Sequence, residues 1–246
     1  MMTTPNRLRL LNLFQYYRGK PHQTAAIGQL EDLILKVKPD ILERDREWYQ
    51  TWLHGVLDKP RTWRITREQV AEISGHAPHL FDDAFMSDLN RLVEATGMTS
   101  LNQRRMLVAQ TCHETGGYRW MSELGGKDYF TRMYDNRSDL GNGPGDGYKF
   151  RGCGVIQLTG KYNFERFARW MEQNGMRDDQ IMSEGTDYVV NKYPFLCAVC
   201  WIEDNNWARV CDRGDVYEAT RVLNGGYNGI DDRIKYFDRA KEVIWE

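Results

Sequence analysis

What this chain lacks narrows the field before any motif is read. Its 246 residues hold no run of about 18 apolar residues, so no transmembrane helix and no membrane insertion are expected. The opening residues, Met1-Met2-Thr3-Thr4-Pro5-Asn6-Arg7, lead only into short apolar pieces broken by Arg9, Asn12 and Gln15, a poor secretory signal. The expectation is a protein made in a cytoplasm that meets any external substrate after release. Strong charge is also missing. The net charge of −2 excludes the global basic field of a typical nucleic-acid binder. The first 62 residues are mildly basic and the remainder mildly acidic, an imbalance within ordinary scatter, although a basic front part would favour an anionic wall.

The expected ligand sets for metals are incomplete too. His113-Glu114 begins like a zinc-protease helix, but position 117 is Gly where a second His is needed. Cys197-x-x-Cys200 has no second close Cys/His pair, and it lies in Pro194–Ile202, which reads as an apolar helix starting at proline. His76-x-x-His79 straddles Pro78 with no carboxylate partner in sight. The segment from Asp135 to Gly147 is rich in Gly and Asp but lacks the ordering of a calcium loop, and it reads as a mobile loop beside a cleft. The five cysteines, Cys112, Cys153, Cys197, Cys200 and Cys211, are read as small buried residues. Neither a metal nor a cofactor is expected.

What is present supports a folded chain, since hydrophobic residues make up 41%. Residues 1–57 read as a three-helix module: 7–17 form one helix, Ile27, Leu30, Ile34 and Val37 mark the face of a second, and Asp40 with Glu43 caps a third. Its Tyr16, Tyr17, Trp48 and Trp52 either fill a small core or stack on sugar rings, so the module is read as packing on the rest of the chain, holding another protein or binding a wall. Residues 58–63 read as a linker and 64–246 as a second domain. There, Thr66-x-x-Gln69 and Ser100-x-x-Gln103 have the capping-box spacing, Asp215-x-x-Glu218 caps a short helix, and a helix is expected over 161–174. Asp231-Asp232 begin a final helix that turns Ile234, Phe237, Ala240 and Ile244 inward. Val155-Ile156-Gln157-Leu158 reads as a short strand or extended edge.

The chemistry gathers at the end of the helix that Ser100 opens. Met106, Ala109 and Cys112 recur at helical spacing, Glu114 falls on the last turn, and Gly116-Gly117 stops the pattern. A carboxyl there lies at the negative end of the helix dipole, and partial burial would disfavour its charge further, the setting a general acid needs. Glu123 follows nine residues later, beyond the glycines. Two carboxyls in unlike settings are a recurring way to divide acid and base roles. Spacing alone also allows two surface glutamates at a helix end.

Three blocks together resemble glycoside hydrolase family 19, which holds plant-type chitinases and phage endolysins. They are His113-Glu114-Thr115-Gly116-Gly117-Tyr118, then Gly145 through Thr159 (GDGYKFRGCGVIQLT), then Asn224-Gly225-Gly226-Tyr227-Asn228-Gly229. The resemblance covers roughly 64–246. It implies a mainly α, lysozyme-like fold with a small β element at the cleft, here preceded by the small helical module. It also implies hydrolysis of β-1,4 links beside N-acetylated sugars with inversion. On that resemblance Glu114 is the acid, Glu123 the base, and Thr159 helps hold the attacking water. Gln157, Tyr162, Asn163, Asn224 and Tyr118 fall at substrate-binding positions. Arg233 matches a cleft arginine, although its own context equally allows an ion pair with a nearby acid. Cys153 departs from the family's usual residues in its block.

The expected function is an endolysin-like, monomeric glycosidase cutting the glycan of peptidoglycan, a partner call that rests on the short loops, the missing signal peptide and the compact Gly-Asp-Gly…Arg-Gly block typical of phage-like members. A chitinase acting on a chitin-like glycan would use the same residues. A lytic transglycosylase would need one glutamate and leave anhydro ends. A non-catalytic glycan-binding or virion structural protein would keep the fold without turnover.

Overall fold

A computed structural model describes residues 64–245. The expected module at 1–57 and linker at 58–63 lie outside the described residues, as do the readings of Tyr16, Tyr17, Trp48 and Trp52.

The described part is mainly α. Its helices are α1 (Arg67–Ser74), α2 (Asp83–Thr96), α3 (Leu101–Glu114), α4 (Lys127–Tyr134), α5 (Asp146–Lys149) and α6 (Lys161–Gln173). After these come α7 (Gln180–Glu184), α8 (Thr186–Lys192), α9 (Val199–Asp204), α10 (Trp207–Asp212), α11 (Val216–Asn224) and α12 (Ile230–Val243). Both expected capping boxes form. Thr66 and Ser100 accept from the backbone of Gln69 and Gln103, whose side chains return the bond to the cap backbone. Each satisfies donors that a helix start would otherwise leave bare, worth about 1 kcal/mol per cap. Asp215 caps α11 by accepting from the Glu218 N–H at 3.1 Å.

α3 is the axis of this part. The sequence pattern predicts one apolar face, yet every residue from Met106 to Cys112 is buried. A helix covered on all sides is a core helix, and Gln110 and Thr111 can be buried there because their polar atoms are bonded. α12 packs along α3 and also meets α1. The chain end is tied down by Gln69 Nε2 to Val243 O at 3.3 Å and Arg105 Nε to Ile244 O at 2.7 Å. Phe237, Ala240 and Ile244 are buried as expected.

The segment after Pro194 differs from the expected single helix. It makes a 3-10 turn over Leu196–Ala198 before α9 begins. The cause is Asp88 of α2, whose buried carboxylate accepts the N–H groups of Phe195 at 2.7 Å and Leu196 at 3.1 Å. Burial pushes Asp88 up from 3.8 to about 6, against the pull of those two backbone donors. All five cysteines are buried and free. Burial pushes Cys112 up to about 12 and Cys200 to about 11, which leaves both as inert packing residues.

Candidate active site

The β element is smaller than a strand. Ser122 pairs with Cys153, and Cys153 pairs with Leu158, as two isolated antiparallel bridges. Residues 154–157 are a turn, which corrects the expected strand over Val155–Leu158. Gly154 and Gln157 both take left-handed backbone, at φ +73° and +57°. A side chain at 154 would strike Cys197 Sγ and the Pro194 carbonyl, so glycine is required there. This turn leans on the segment that Asp88 holds, through Val155 N–H to Pro194 O at 2.9 Å.

Glu114 ends α3 with its side chain 22% exposed. Its Oε1 accepts from Arg233 Nη2 at 2.6 Å. Arg233 lies in the first turn of α12 and is 1% exposed, so it cannot reach a sugar. The expected substrate contact is therefore corrected: this guanidinium holds a carboxylate from beneath. Its other donors are satisfied by Gln110 Oε1 and, at 3.2 Å, by the Asn228 carbonyl. Gln110, one turn before Glu114, is itself fixed by donating to Thr220 Oγ1 of α11 at 3.0 Å. A buried cation is tolerated because every arm has an acceptor. Beside it His113 Nδ1 meets Asp232 Oδ2 at 2.8 Å.

The chain then turns on Thr115. Its hydroxyl donates to Thr111 O at 2.6 Å and accepts from the Tyr118 N–H at 2.8 Å. Its carbonyl accepts from Arg119 and Trp120, both at 3.0 Å. Tyr118 thus points inward. Its ring packs on Phe81, Phe85 and Phe195, and its hydroxyl meets Thr111 Oγ1 at 3.0 Å. Burial holds that phenol well above its ordinary value. Tyr118 is partly buried against the core and also lines an open cavity.

Glu123 follows the Ser122 bridge, its N–H donating to Gly152 O at 2.8 Å. Its Oε2 accepts from the Gly152 N–H at 3.2 Å and its Oε1 from the Tyr134 hydroxyl at 2.9 Å. Gln157 stands next to it. A Cβ on Gly152 would lie 2.9 Å from Gln157 Oε1 and 3.1 Å from Glu123 Oε2. Gln157 Nε2 donates to Gly154 O at 3.1 Å, and Thr159 Oγ1 donates to Gln157 O at 2.8 Å. Asn163 Nδ2 donates to Thr159 O at 2.8 Å, so this side chain spends a donor on bracing the loop. Tyr162 is 56% exposed and its ring covers Gly141. Asn224 is exposed at the end of α11, before left-handed Gly225.

The structure therefore links Gln157, Thr159 and Asn163 by hydrogen bonds and sets Glu123 beside Gln157. It ties Glu114 to a second group with Arg233, Gln110 and Asn228, and the Thr115 turn joins the two. The loop from Asp135 to Gly147, read as mobile, is densely bonded. Asp135 accepts from Gly145 and Gly147 at 2.9 and 2.7 Å, and Asn142 links Tyr134 O to the Lys161 N–H, both at 2.9 Å. Sequence reasoning missed Gln110 and Tyr134. A glutamine inside the apolar run 106–112 is a signal for the first; nothing marks the second. Two open cavities of about 520 and 590 Å³ lie elsewhere, one around Phe85, Tyr118 and Asn191 and the other around Arg169, Arg177 and Asp178. Neither contains Glu114 or Glu123. A polymer lies across a surface, so cavity size is a poor guide to this site.

Comparison with known proteins decides the family. Over 190 residues the chain is 30% identical to a glycosyl hydrolase family 19 domain-containing protein of Haemophilus influenzae, covering 65% of this chain and 88% of that protein. The chain belongs to glycoside hydrolase family 19. No family model matches the sequence. The fold of this family 19 hydrolase is shared with the crystal structure of a bacterial family 19 chitinase, at a TM-score of 0.54 and 17% identity over 74% of this chain and 95% of that one. Chitinase C from Streptomyces griseus HUT6037 superposes at 0.53 with 15% identity, over 74% and 77% of the two chains.

Proposed function

We propose that this hydrolase cuts β-1,4 bonds in the glycan of bacterial peptidoglycan by single displacement with inversion, and that the bacterial wall is where it acts. One observation carries the mechanism: a single short turn presents two glutamates in unlike settings, Glu114 on a buried guanidinium and Glu123 on a phenol and a backbone N–H. Groups held in different environments can take opposite proton roles. Arg233 occupies Oε1 of Glu114. Oε2 is then the oxygen that carries the proton to the leaving sugar. Glu123 takes a proton from water through the lone pairs its two donors leave open, and Thr159 helps seat that water. Positive charge growing on the sugar is met by the polar groups of the site.

Two features support the wall glycan. The relative that shows the family is bacterial and lies nearer in sequence than the chitinases do. The compact block from Gly145 to Thr159 also favours it. Chitin is the second reading, because the solved structures sharing the fold are chitinases.

The test sets the purified chain against peptidoglycan and chitin hexamers, with Glu114→Gln and Glu123→Gln alongside and product ends read by mass spectrometry and NMR. The expected result is unmodified reducing ends of inverted configuration and a loss of about 100-fold or more in each variant. Anhydro ends with an active Glu123→Gln would replace hydrolysis by transglycosylation. Turnover confined to chitin would move the substrate.

A further inference from the structure

We infer that Tyr134 is the positioning residue for the water-activating carboxylate: its hydroxyl fixes the orientation of Glu123. This rests on the reading of Glu123 as the base.

The geometry is specific. Tyr134 is the last residue of α4, and its hydroxyl is the side-chain donor to Glu123, on Oε1 at 2.9 Å. The opposite oxygen is held by the Gly152 N–H. A carboxylate gripped at both oxygens cannot rotate freely about its last torsion, so the lone pairs that remain open have a fixed direction. The phenol is in turn held by its surroundings. Its ring stacks on fully buried Phe130, with centroids 6.0 Å apart and planes 19° apart. Its carbonyl accepts from Asn142 Nδ2, and the next residue, Asp135, is pinned by two glycine N–H groups. Asn142 also accepts the N–H of Lys161, which opens the helix carrying Tyr162 and Asn163. The residue that orients the base is thus wired to the helix expected to meet the sugar.

The phenol suits the task chemically. Partial burial, and after it the neighbouring Glu123, push Tyr134 up to about 12. It keeps its proton across any pH at which the enzyme would work, and so always donates. A lysine in this place would add a charge, and a serine would not reach.

Tyr134→Phe removes one oxygen and keeps the stacked ring. The experiment measures kcat and KM for wild type, Tyr134→Phe, Glu123→Gln and the double variant of the full chain, on chitin hexamers and peptidoglycan, with thermal melts to show folding. The expected result is a fall in kcat of about tenfold, a fraction of what the base contributes, with KM little changed. In the Glu123→Gln background the tyrosine change should cost nothing more, because both act through one group. A folded Tyr134→Phe with wild-type kcat overturns the inference while Glu123→Gln stays dead and the base assignment stands. Equal losses in both backgrounds also overturn it, leaving a structural tyrosine. An active Glu123→Gln, or a wild type without turnover, removes the base reading itself and this inference with it.

Discussion

The two ends of the candidate site are built from different materials. At the Glu114 end, helices do the holding: α3, α11 and α12 are joined by a buried chain of side chains from Thr220 through Gln110 and Arg233 to the carboxylate. At the Glu123 end, backbone does most of it: two bridges, a left-handed turn and one phenol. The first design places a full charge in the core and depends on every partner being present. The second spreads its cost over many main-chain bonds, so removing one side chain leaves the frame standing. Chemistry and stability are therefore coupled tightly at one end and loosely at the other.

The largest break in that comparison comes from Arg233→Met. It strands Gln110, the Asn228 carbonyl and Glu114 without their donor, and breaking a buried pair costs about 3–5 kcal/mol. Urea unfolding should show this as a lowered midpoint, whereas Tyr134→Phe should lose only about 1 kcal/mol. Similar losses in the two variants would erase the distinction drawn between the ends.

The next effect is pH-dependent and belongs to the Glu123 end, whose turn leans on the segment that Asp88 holds. Asp88 stands at about 6 in the fold against an ordinary 3.8. A raised acid means that the folded state holds a proton the unfolded chain has released. The stabilisation from that proton is complete below about pH 4 and is lost as the pH rises through 6, a difference of about 3 kcal/mol. Asp88→Asn should flatten the stability curve between pH 4 and 6. A slope in that window unchanged by the substitution would discard the account.

The smallest of the three is Gln110→Leu. It fits an apolar neighbourhood but leaves one arm of Arg233 bare, at a cost of about 1–3 kcal/mol. Measured together with Arg233→Met, the two losses should be far from additive, because they belong to one network. Additive losses would mean that Gln110 holds Thr220 for its own sake.

Much of this was legible in the residues, for reasons that are local. Ser100-x-x-Gln103, Thr66-x-x-Gln69 and Asp215-x-x-Glu218 announce helix starts because capping is chemistry between residues three apart. Glu114 could be placed at a helix end from the glycines after it. What could not be read was long-range. Arg233 sits in a first turn rich in acids, and nothing nearby in sequence says that this turn docks under α3. Tyr118 stands beside exposed Arg119 and Trp120 yet turns inward, because Thr115 collects the N–H groups around it. Val155–Leu158 has the apolar character of a strand, and the left-handed backbone at Gly154 and Gln157 overrides it.

The Thr115 turn has a consequence for how such an enzyme can diversify. The interval between Glu114 and Glu123 is set by main-chain bonds and one buried hydroxyl, while Arg119 and Trp120 on the outside of the turn face solvent. A lineage can therefore rewrite the outer surface of the turn, altering which polymer edge it meets, while the spacing between the two carboxylates stays where it is. Innovation at this site has a cheap side and an expensive side, and a single threonine marks the border.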